Sequence, residues 1–79
     1  MQLPYISKSK YLLITAIKAS GVILNNDFTI YTNSGDNFFV VADELGQARL
    51  EARNKIKDSA IEIEVSIFDH DKNVIEIIG

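Results

Sequence analysis

Near the end of the chain, Asp69-His70-Asp71-Lys72-Asn73 gathers the one histidine of the sequence and three side chains that offer oxygen donors. Asp69, Asp71 and Asn73 alternate like the opening ligands of a calcium loop, where oxygens recur at every second position. A neutral imidazole at His70 would also suit general base catalysis near pH 7, or metal ligation. The surrounding residues complete neither chemistry. The sixth position of a calcium loop, ordinarily glycine, is Val74, and the acid at the twelfth would fall beyond Gly79. No serine or cysteine in a nucleophile motif accompanies His70. Aspartate, asparagine and lysine are also what a hairpin turn favours for conformational reasons. The stretch is therefore expected to be a turn, with no catalytic, cofactor-binding or metal-ligating residue assigned.

The absence of cysteine excludes disulfides, thiolate nucleophiles, zinc-thiolate sites and iron-sulfur clusters. Glycine-rich phosphate loops, HExxH and GxSxG are missing as well, so the chain is read as a non-enzyme without a cofactor. A second candidate is basic: Arg49, Arg53 and Lys57, together with Lys55, lie on one predicted helix and could contact phosphates or an acidic partner. Against this stand a net charge of -3 and a pI near 4.9. Such a balance opposes non-specific attraction to nucleic acid or anionic lipid. Glu51 and Lys55 are moreover spaced for an i, i+4 ion pair, as on an ordinary solvated face.

These groups need elements to position them. A chain of 79 residues, 47% apolar and 24% charged, is expected to form a single domain over 1–79. From Asp43 to Lys57, Leu45, Ala48, Ala52 and Ile56 recur at spacings of three and four, which predicts an amphipathic helix capped by Asp43. The two alanines imply a close approach to a sheet. After it, Ile61, Ile63, Val65 and Ile67 alternate with polar residues, and NVIEII follows the turn, which predicts a C-terminal hairpin.

An earlier hairpin is predicted from DFTIYT and NFFVVA around Gly35. Residues 7–20 read as a helix, with Ser7 as N-cap, Leu12, Leu13, Ala16, Ile17 and Ala19 on one arc, and Gly21 at its end; the composition of LLITAI would equally suit a strand. The expected fold is α+β, a four-stranded antiparallel sheet with two helices in the order α-β-β-α-β-β. A faint likeness of IKASGVI to IKDSAIE hints at two related halves.

Apolar residues also fall on what would be the solvated side of the sheet. Either Val74 with Ile78 or Ile75 with Ile77 must point that way too, and Phe39, Val41 and Phe68 are the candidate interface residues, since contiguous exposed apolar patches mark association. The N-terminal segment from Met1 to Ile6 could cover part of this face. No window is apolar enough for a membrane helix and the start lacks the features of a signal peptide, so a cytoplasmic protein is expected. The function expected is a small protein-binding module such as a regulator or inhibitor of the kind phages encode, with a homodimer as one expected partner arrangement. A nucleic-acid-binding regulator using the helix at 43–57 is the alternative.

Overall fold

The computed structural model describes residues 3–79. Five strands and one helix follow in the order β1 (Tyr11–Ile17), β2 (Ile23–Leu24), β3 (Phe39–Ala42), α1 (Leu45–Asp58), β4 (Ile63–Phe68) and β5 (Val74–Ile78). All strand pairs are antiparallel. Along one edge β1 pairs with two short strands in succession: β3 beside Tyr11 to Ile14, then β2 beside Thr15 and Ala16. Its other edge pairs with β4, and β5 completes the sheet beyond β4.

This corrects the expected four-stranded sheet with two helices: the sheet has five strands, and there is one helix among the described residues. The segment read as the first helix is β1, the central strand. Leu12, Leu13, Ile14 and Thr15 are buried in succession. A strand covered on both faces has no polar side to display, so its sequence loses the alternation that marks a half-exposed strand. Burying each large side chain yields about 1.5–3 kcal/mol, whereas intrinsic helix preferences differ by less than about 0.7 kcal/mol per residue. Burial on two faces therefore decides the conformation. Gly21 does not end a helix. It takes φ 74° in the loop between β1 and β2, where its N–H donates to the Ile17 carbonyl and the Ile17 N–H donates to that of Val22.

The expected early hairpin is also displaced. Residues 28–32 form no strand, only an isolated bridge from Ile30 to Leu24, and β1 rather than that segment is the partner of β3. IKASGVI lies at the end of β1 and its turn, IKDSAIE at the end of α1, so the likeness falls on unlike structure.

The helix follows the predicted stripe. Ala48 and Ala52 are both 0% exposed, and they pack with Leu13, Ala42, Val65 and Ile67, flanked by Leu45 and Ile56. Its N-cap is Glu44, without a side-chain cap; Asp43 is turned instead to an ion pair with Lys10. Lys55 and Lys57 stand in the last turn, where the helix dipole favours cations. On the opposite face of the sheet a second cluster joins Leu12 and Ile14 to Ile6 and Phe38, with Leu3, Ile23, Tyr31, Phe39 and Phe68 packed around them. No helix among the described residues is long and apolar enough to cross a membrane.

The close helix-sheet contact has a measurable consequence. Ala52→Leu should overpack it and lower stability by about 1–3 kcal/mol in denaturant unfolding. Coincident unfolding curves for variant and parent would show that the site yields to a larger side chain.

Candidate interaction surface

The sheet register brings the three predicted interface residues onto one face. Phe39 lies opposite Ile14, while Val41 and Phe68 flank Leu12 from either side. Much of that face is closed within the chain. Ile6 and Phe38 are buried over its centre, Phe38 stacks at a tilt on Tyr31 with centroids 4.6 Å apart, and Phe39 meets Phe38 edge-on at 5.0 Å. Phe39 and Phe68 are thereby half-buried, and Val41 stays 43% exposed at the rim.

The other rim is richer, and on it the alternation in the sequence requires either Val74 with Ile78 or Ile75 with Ile77 to point away from the helix. Val74, Ile75 and Ile77 of β5 are 50%, 43% and 56% exposed. Val74 sits opposite Phe68 and Ile77 opposite Ser66, so both share the face that carries Phe68 and Val41. A register shift at Ile67 and Phe68 interrupts the alternation of β5 and leaves three of its five side chains apolar and outward.

That outer edge is open, because β5 pairs with β4 and with no other strand among the described residues. The Asp69 N–H bonds the Asn73 carbonyl at 3.0 Å, which fixes the phase of the ladder. By alternation Ile67 and Val65 bond towards β5, opposite Glu76 and Ile78. Ile77 between them consequently turns its N–H and C=O to the open edge. The far edge of the sheet is treated differently: Ile30 bridges to Leu24, and the Asn26 side-chain amide donates to the Phe39 carbonyl at 2.9 Å.

Two of the predicted basic residues, Arg49 and Lys55, are engaged within the chain. Arg49 donates through Nε to Glu76 Oε1 at 2.9 Å, clamping α1 over β5. Lys55 turns away from Glu51: its Nζ donates to Asn26 Oδ1 at 3.0 Å and lies 5.9 Å from the centroid of the Phe28 ring. Burial holds its pKa below the ordinary lysine value, with Glu51 opposing that shift through its charge. Arg53 and Lys57 remain exposed.

Asp69 to Asn73 form the turn between β4 and β5. The Asp69 carboxylate accepts the N–H groups of Asp71 and Asn73, each at 2.9 Å, and its carbonyl accepts the Lys72 N–H at 3.0 Å. Lys72 takes φ 67°, the left-handed conformation of a three-residue hairpin loop. His70 Nε2 stands 3.3 Å from Asp71 Oδ2, and no cluster of three metal-capable side chains occurs among the described residues. An open cleft of about 420 Å³ beside the end of α1 is lined in part by Lys18, Ser59 and Gly79. Lys18 donates there to the Gly79 carbonyl, and Ser59 Oγ to that of Ile61.

No protein-family model, curated protein or solved structure matches this chain. Its own geometry must carry the functional reading. What that geometry offers is an unpaired strand edge lined by exposed isoleucines.

The turn generates three predictions. Hydrogen bonds from backbone, that of Asn73 foremost, hold the Asp69 carboxyl below the usual carboxylate value. A depressed folded-state pKa contributes stability that is complete above the ordinary value and is lost as pH falls through the depressed one. Asp69→Asn should therefore melt lower than the parent at pH 7, with the gap closing as pH drops below about 4; a gap independent of pH would remove the carboxylate from this role. Lys72→Gly should relieve the left-handed lysine and raise stability by about 0.5–1 kcal/mol, whereas His70→Ala should change it by no more than about 0.5 kcal/mol in the same unfolding assay.

Proposed function

We propose that the protein is a non-enzymatic protein-binding module whose working surface is the open edge of β5. The observation that carries this reading is the coincidence, on one strand, of an unpaired backbone edge with the exposed side chains of Val74, Ile75 and Ile77. A row of unpaired N–H and C=O groups is a template for another strand, and flanking apolar side chains add affinity and register. Natural sheets commonly protect such edges with lysine, proline or an inward charge. Here the charge on β5, Glu76, is engaged by Arg49, so an incoming strand meets little electrostatic opposition.

Recognition by added strand suits a regulator or inhibitor that occupies a partner's surface. The partner's contribution is an extended, β-branched apolar segment. Phe68, beside Val74, extends the apolar surface next to such a contact, while Phe39 and Val41 share that face but stand on β3 at the opposite rim. A cytoplasmic setting accords with a fold held by two apolar clusters without cross-links.

The test compares capture of proteins from extracts of the source cell by three immobilised forms. The parent and an Arg53→Glu/Lys57→Glu variant should retain the same proteins at low and at high salt, while Ile75→Lys/Ile77→Lys should lose them. Capture that survives the β5 changes but is abolished by helix charge reversal, and that weakens steeply with salt, would instead favour the nucleic-acid reading.

A further inference from the structure

The reading of β5 as the working edge leaves open what occupies it, and we propose that the occupant is a second copy of this chain, paired antiparallel through β5 about a two-fold axis at Ile77. The proposal rests on that reading and names the partner. The chemistry required of an occupant is an extended strand with apolar, β-branched side chains and an available edge, and Val74–Ile78 supplies all three.

The register follows from the phase of the ladder. Since Ile77 directs its backbone groups outward, it can exchange two hydrogen bonds with Ile77 of the second copy. Counting outward from that pair sets Glu76 against Ile78 of the second copy and Ile75 against Gly79. No like charges then stand opposite one another. A register centred on Glu76 would oppose two glutamates, and like charges directly opposite are destabilising. The two-fold axis also keeps equivalent faces on the same side of the joined sheet. Ile77, 56% exposed in the single chain, then packs beside its equivalent, continuing the apolar surface of Phe68 and Val74 across the junction.

The sequence contains no cysteine, so a single introduced thiol reports this geometry without interference. The Cα atoms of a hydrogen-bonded cross-strand pair lie ~5.5 Å apart, within disulfide reach. Ile77→Cys should oxidise to a covalent dimer under a mild oxidant. Ile75→Cys should not, because it lies about 13 Å from its equivalent in this register. Sedimentation equilibrium of the parent should show a dimer at micromolar concentration that Ile77→Lys dissociates. Both positions are exposed, and circular dichroism serves as the control that each variant is folded. A parent that stays monomeric at 100-fold higher concentration, or equal cross-linking of the two cysteine variants, would overturn the proposal. The capture experiment judges the strand-edge reading separately: proteins retained by the parent and lost by Ile75→Lys/Ile77→Lys, from a parent that sediments as a monomer, would leave that reading standing and overturn self-pairing.

Discussion

Every other part of the fold depends on the burial of β1 from all sides. Four successive residues, Leu12 to Thr15, are covered above by α1, below by Ile6 and Phe38, and at the edges by β4 and by the β2 and β3 pair. In a small domain such a strand organises most of the available apolar surface. The two alanines of α1 serve the same end, since a larger side chain would lift the helix away from Leu13 and Val65.

Polar contacts then hold the covering segments in place. Lys10 to Asp43 joins the start of β1 to the approach of α1, and Lys55 to Asn26 ties the helix to the long connection between β2 and β3. Arg49 to Glu76 fastens the helix to the outer strand. These are partly exposed pairs, worth about 0–1 kcal/mol each. Their role is chiefly positional: they select among arrangements that the apolar clusters would otherwise permit. The result is a sheet closed at its centre on both faces, with exposed apolar side chains left at opposite rims.

How much of this was legible in the sequence depended on how many sides of an element are buried. The stripe of α1 and the alternation of β4 each have one buried side, so period and polarity disclosed them. The Asp69 turn was legible because its chemistry is local. Four apolar or small residues in succession on β1 could be fitted equally to a broad helical arc, and the reading as helix failed there. The β2 to β3 connection was misread because Phe28 to Thr32 has strand-like composition but is held by side-chain contacts and a single bridge. Misplaced hydrophobicity placed Phe39, Val41 and Phe68 on one face, as the register does. For β5 it left two pairs open, Val74 with Ile78 or Ile75 with Ile77; Val74, Ile75 and Ile77 are the exposed ones, because an irregular register and an edge position are properties of the assembled sheet.

The pairing of β1 with β4 joins segments about 50 residues apart in the chain. Loop closure must precede the contacts that reward it, so a topology of this kind places the domain towards the slower end of two-state folders. During synthesis the consequence is a delay. At usual elongation rates, ~3 to 10 s separate the appearance of the most apolar strand from that of its principal partner. In that interval β1 can engage only β2, β3 and α1, and its edge towards β4 stays open on the nascent chain.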